Sequence, residues 1–100
     1  MVKHVILWKF KEELSKEEKA QRAKNAKAGL EGLAGKIDGL VSVKVNIDML
    51  PSSNADMMLD TTFVSEEALK AYQVHPEHVK VADECVRPFT EVRLCMDYEE

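Results

Sequence analysis

The side chains of this chain best suited to proton transfer or metal ligation near neutral pH are its three histidines, His4, His75 and His78. Two of them fall in the run Tyr72-Gln73-Val74-His75-Pro76-Glu77-His78, which also supplies a phenol. The third stands on an otherwise apolar stretch, Val2, His4, Ile6, Trp8 and Phe10, read at every second residue. A metal site is the simplest use of three imidazoles, with His75 and His78 three apart and His4 nearby. Two features count against it. Pro76 spoils a regular helical i, i+3 pair, and no carboxylate is clearly placed as a further ligand. No metal and no cofactor are therefore expected. Cys85 and Cys95 form no C-x-x-C motif and no export signal precedes them, so two unlinked thiols are expected.

These residues need elements to hold them, and the hydropathy pattern provides a set. Val2 to Phe10 alternates and is apolar on both faces at its centre, as in a central strand covered on both sides. Ser15-Lys16-Glu17-Glu18 matches a helix capping box, and a helix should follow from about Lys16 to Ala34. Its inward stripe is Ala23, Ala26, Leu30, Leu33 and Ile37, interrupted by Gly29 and Gly32, which either allow a close approach or leave space beside the sheet. Lys16, Lys19, Arg22, Lys24 and Lys27 read as its solvated face. Leu40 to Asp48 and Asp56 to Val64 alternate as two further strands, joined by the turn-rich Pro51-Ser52-Ser53-Asn54. Ser65 caps a short helix that runs to about Tyr72. Pro76 forces His75 out of the α region and opens another helix, which Pro88 ends after about Arg87. Glu91 to Tyr98 is the last strand.

The order β-α-β-β-α-α-β is that of an α+β, ferredoxin-like domain: a four-stranded antiparallel sheet with all helices on one face. The helix-facing side should collect Ile6, Trp8, Val41, Val43, Val45, Ile47, Leu59, Phe63, Val92, Leu94 and Met96. The other side mixes Val5, Leu7, Met58 and Val64 with Lys44, Asp60, Thr62, Arg93 and Cys95, the composition of a subunit interface. On this assignment Cys95 and Cys85 lie on opposite sides of the sheet, too far apart to bridge.

The size and charge agree. A chain of 100 residues, 45% hydrophobic and 32% charged, is one globular domain over residues 1–100. Fourteen basic against eighteen acidic residues, a formal charge of −4, argue against a nucleic-acid partner. The apolar run Val5 to Trp8 is too short for a signal core or a membrane span, so a cytoplasmic protein without a membrane partner is expected. A domain this small gains stability by oligomerising.

The opening Val2-Lys3-His4, the Tyr72 to His78 run and the terminal Asp97-Tyr98 resemble the stress-responsive A/B barrel (Dabb) family, and the likeness covers nearly the whole chain. The resemblance implies a homodimer formed sheet to sheet into an α+β barrel. Most of the family has no assigned function. A plant branch resembles polyketide cyclases that close a ring with a Tyr–His pair, which carries over to Tyr72 and His78 as catalytic residues, with His4 lining the same cavity. His78 in the first turn of its helix would be held neutral by the dipole and could accept a proton, and the phenol could stabilise an enolate. That branch has a further His on its third strand where this chain has Met57, and aromatic residues where it has Ala23, Lys24 and Lys27. The cavity must therefore differ. The expectation is a pocket uniting Tyr72, His78 and His4 with Ile6, Trp8, Leu59 and Phe89 around a small, carbonyl-bearing or partly apolar ligand. Two alternatives stand beside this one: a cyclase-like or isomerase-like enzyme, and a structural module in which Tyr72 and His78 hydrogen-bond each other across the helix break while His75 caps.

Overall fold

Alternation, capping and proline placement produce seven main elements in the computed structural model, which describes residues 1–100. They are β1 (Val2–Phe10), α1 (Lys16–Glu31), β2 (Leu40–Asn46), β3 (Met57–Phe63), α2 (Glu66–Val74), α3 (Pro76–Val81) and β4 (Thr90–Glu99). A π-helical turn at Ala82–Val86 and a 3-10 turn at Arg87–Phe89 lead from α3 into β4. The sheet is antiparallel in the order β2-β3-β1-β4, so β1, with its two apolar faces, is interior. No helix is long and apolar enough to cross a membrane.

Local signals act where the sequence places them. The Ser15 hydroxyl accepts from the Glu18 N–H and the Glu18 carboxylate accepts from the Ser15 N–H, both at 3.1 Å, closing the capping box. Ser65 accepts from the Ala68 N–H at 3.1 Å and starts α2. The helix of α1 stops at Glu31, three residues short of Ala34, and the chain goes on through i→i+3 turns to Lys36. Gly29 serves close approach: a Cβ there would lie 2.9 Å from Val81 Cγ1 of α3. The basic face of α1 is less free than its spacing predicts. Lys27 pairs with Glu31 at 2.8 Å and donates to the Val45 carbonyl at 2.7 Å, while Glu31 accepts from the Val45 N–H at 2.9 Å.

Gly39, just before β2, has φ +85 and a Cβ built on it would lie 2.5 Å from Ala68 Cβ. Gly39→Ala therefore combines left-handed strain with a collision, and it should cost about 1–3 kcal/mol in urea unfolding. Gly35→Ala shares the positive φ (+79) but meets nothing within 4 Å, so it should cost distinctly less. Equal losses would show that the Ala68 contact is immaterial.

The register corrects the face assignment in β4. His4, Ile6 and Trp8 stand opposite Asp97, Cys95 and Arg93, so these three polar residues share the helix side with β1's buried residues. Val92, Leu94, Met96 and Tyr98 point to the open side instead, and Leu94 and Met96 are 62% and 65% exposed. A register shift opposite Lys9 and Phe10 sets the phase, and an edge strand beside a cavity has no helix demanding its apolar set. Val41 likewise leaves the core, because a shift between Leu40 and Ser42 drops it from the ladder. The cysteines are both free, but they are not on opposite sides. Cys95 is on the helix side beside His4, whereas Cys85 packs against α1 near Gly29. The open face thus carries Val5, Leu7, Met58, Val92, Leu94, Met96 and Tyr98, bordered by a Lys3–Asp60 ion pair of 2.6 Å within the sheet.

Candidate functional site

The break between α2 and α3 is built by His75 and Pro76. His75 is extended (φ −67, ψ 131), and its Nδ1 accepts from the Glu77 N–H at 3.1 Å. It is a cap, as its position predicts, and it is not brought to the other two histidines. Tyr72 in the last turn of α2 and His78 in the first turn of α3 come together, but not by a hydrogen bond. Their rings lie 4.1 Å apart between centroids at 32°, a tilted stack. Phe63 packs on Tyr72 at 4.9 Å, and His4 meets it edge-on at 6.1 Å. The Tyr72 hydroxyl and His78 Nδ1 are both buried without a partner. Bracing through a Tyr72–His78 hydrogen bond is therefore not how this turn is held.

His4 is 2% exposed and is fixed by two contacts. Its Nδ1 lies 2.5 Å from Asp97 Oδ1, and its backbone carbonyl accepts from the Thr61 hydroxyl at 2.6 Å. The Asp97 carboxylate accepts from Nδ1–H, which leaves Nε2 as the free ring nitrogen. The Cys95 thiol also donates to Asp97, at 3.4 Å. Burial, reinforced by that carboxylate, pushes the thiol's pKa up, so it stays protonated. His4, Cys95 and Asp97 are the group whose donor atoms, all within 4.8 Å, could take a metal ion, and their Nδ1 and carboxylate are here engaged with each other.

A cavity of about 230 Å³ lies between the sheet and the helices. Of the residues expected to line it, His4, Ile6, Trp8, Leu59 and His78 do. Tyr72 and Phe89 do not. Tyr72 packs against His78 and is fully buried. Phe89, in the 3-10 turn, packs at the edge of the core beneath Arg22, whose guanidinium sits 4.0 Å over its ring. Sequence reasoning missed Gln73, Arg87, Thr90 and Arg93 in the wall, and Asp97 behind His4. The signal for Arg93 and Asp97 was present: Arg93, Cys95 and Asp97 form a polar face of β4 that suits a wall better than water.

Electrostatics keep the two aromatic partners neutral. Burial pushes the Tyr72 phenol far above its usual range, so it remains a donor. Burial also lowers the His78 pKa, with Arg87, His4 and Arg93 adding in the same direction and the Gln73 backbone opposing. The cause is desolvation more than the start of a six-residue helix. Because the folded pKa lies below the unfolded value of 6.5, the unfolded state binds the proton first as pH falls. The stability His78 contributes is intact above 6.5 and is lost as pH falls from there toward the folded pKa. Urea midpoints between about pH 8 and about pH 5 should therefore decline, and His78→Gln should flatten part of that decline. An unchanged slope in the variant would contradict a buried, neutral His78.

Known proteins fit this geometry. The chain superposes on a dimeric protein of unknown function and ferredoxin-like fold from Bacteroides fragilis with a TM-score of 0.92 at 31% identity, covering 99% of this chain and 95% of that one. It matches the Arabidopsis thaliana protein At3g17210 with a TM-score of 0.74 at 26% identity over 100% and 95% of the two chains. A dimeric ferredoxin-like protein of unknown function from a Jannaschia species matches at 0.76 and 25% over 99% and 98%. A search among curated proteins returns no match. The model of the stress responsive A/B barrel domain matches residues 2–100, and with its sheet order, its Tyr72 to His78 turn and its fold relatives the chain belongs to that family.

Proposed function

We propose that this protein is a cytoplasmic homodimer that binds a small, carbonyl-bearing, partly apolar molecule in the cavity of each subunit. One observation carries the reading. The cavity wall sets the imidazoles of His4 and His78 beside an apolar floor of Ile6, Trp8 and Leu59. Such a wall offers ring nitrogens to a ligand's carbonyl group and apolar surface to its body. Dimerisation is supported by the apolar open face and by the dimeric relatives from Bacteroides fragilis and Jannaschia.

Trp8 is the only tryptophan and lies in the wall, so it reports on occupancy. Benzylacetone, a ketone with one aromatic ring, should change its fluorescence saturably. His78→Ala should weaken that binding about tenfold, the loss of one good hydrogen bond, at an unchanged urea midpoint. No response from the wild-type protein, or a His78→Ala variant that binds equally well, would count against the cavity as a ligand site. Loss of folding in His78→Ala together with full binding in His78→Gln would assign the residue a structural role.

A second reading, proton transfer on the bound carbonyl compound, is favoured by the His4–Asp97 pair on the same wall. A carboxylate on Nδ1 orients the imidazole so that Nε2 is the ring nitrogen left to take a proton from the carbon beside the carbonyl. His78, on the same wall with Tyr72 packed behind it, would be the donor for the enolate oxygen. Deuterium exchange into benzylacetone beside its carbonyl, followed by NMR, separates a binder from an enzyme.

A further inference from the structure

The charge in the cavity wall is at odds with the chain around it. The protein carries −4 overall, yet the wall contains Arg87 and Arg93 and no aspartate or glutamate. Arg93 stands opposite Trp8 on the helix side of β4 and takes part in none of the protein's five ion pairs. Arg87 pairs only with Asp83, one turn earlier, through one nitrogen at 2.5 Å, and both side chains are more than half exposed. An exposed pair of this kind is worth little and leaves most of the guanidinium fork free. Asp97, behind the wall, is already committed to the His4 imidazole and the Cys95 thiol. Polarity is graded as well. Ile6, Leu30, Leu59 and Trp8 are at most 6% exposed and make an apolar floor, whereas both arginines are exposed to solvent.

We propose, resting on the cavity as the ligand site, that its ligand is a small carboxylic acid: the carboxylate is held by Arg93 and Arg87, and an apolar body extends over Trp8 and Leu59. Guanidinium matches a carboxylate with two parallel hydrogen bonds, and no acid in the wall competes for it. An exposed cationic end and a buried apolar floor fix the orientation, with the charge outward and the body inward.

Hydrocinnamate and benzylacetone make the discriminating pair. They share one skeleton and differ only in whether a carboxylate oxygen or a methyl group ends it. Titration of each against Trp8 fluorescence at low salt should show hydrocinnamate binding at least about tenfold more tightly, the worth of a charge-assisted pair. Raising the salt to about 0.5 M should shrink that ratio, since both arginines are accessible to solvent ions. Arg93→Gln combined with Arg87→Gln should bring the ratio of the two affinities to within about twofold, with the urea midpoint showing that the variant folds. Equal affinity of ketone and acid for the wild-type protein overturns the carboxylate assignment and leaves the cavity reading standing. So does a preference that survives both salt and the double substitution. If neither compound perturbs Trp8, the cavity reading fails and the carboxylate assignment fails with it.

Discussion

Leu94→Asp should convert the protein from a dimer to a monomer at micromolar concentration. Leu94 lies midway along the edge strand β4 on the open sheet face, opposite Leu7 and between Val92 and Met96. It is 62% exposed in the single chain, so the substitution leaves the core untouched. In a face-to-face dimer with two-fold symmetry, the same residue is desolvated twice. A carboxylate placed in such an apolar interface without a partner costs several kcal/mol per copy, enough to move dissociation by about a thousandfold or more. Sedimentation equilibrium reads this directly. Val74→Asp is the matched control, because Val74 is 75% exposed but sits at the end of α2, on the helix side. A Leu94→Asp variant that stays dimeric, or a wild-type chain that sediments as a monomer, removes the interface from this face.

Tyr72 should split into two opposite outcomes. Tyr72→Ala deletes a fully buried ring packed on Phe63 and His78 and should cost about 3–5 kcal/mol. Tyr72→Phe keeps that ring and removes a hydroxyl that is buried and has no partner. Leaving such a group unsatisfied costs about 1–3 kcal/mol, so the phenylalanine variant should be as stable as the parent or more so. Urea unfolding of both variants tests this. A Tyr72→Phe variant that loses more than about 1 kcal/mol would mean that the hydroxyl is satisfied by something bound in the folded protein.

Much of this architecture is legible in the sequence because its signals are local. The capping box at Ser15 and Glu18, the extended His75 before Pro76 and the alternation of Val2 to Phe10 each depend on a few neighbouring residues. What alternation does not give is its own sign. In β4 it separates Val92, Leu94, Met96 and Tyr98 from Arg93, Cys95 and Asp97, but which set faces the helices depends on pairing with β1. The usual tie-break, sending the more apolar set inward, fails where both faces of a sheet are to be buried. One inverted strand then hid Arg93 from the cavity and Asp97 from His4. Phe89 failed for a related reason: the 3-10 turn before β4 has no hydropathy period of its own, so the direction of its ring could not be read. Residues on β1 and β3, whose phase was right, were placed correctly in the wall.

The clasp that α1 makes on β2 bears on how association ends. At Val45, on the outer rim of the sheet, Glu31 takes the free N–H and Lys27 fills the carbonyl. An incoming strand would need those two groups for its own hydrogen bonds and would have to strip away a charged pair to reach them. With that position occupied, a strand pairing along β2 is obstructed at Val45, and the β4 rim is the less guarded of the two. Growth of copies strand by strand in a line is disfavoured to that extent. Opening the clasp, with Lys27→Ala and Glu31→Ala together, would remove that obstruction from the β2 rim.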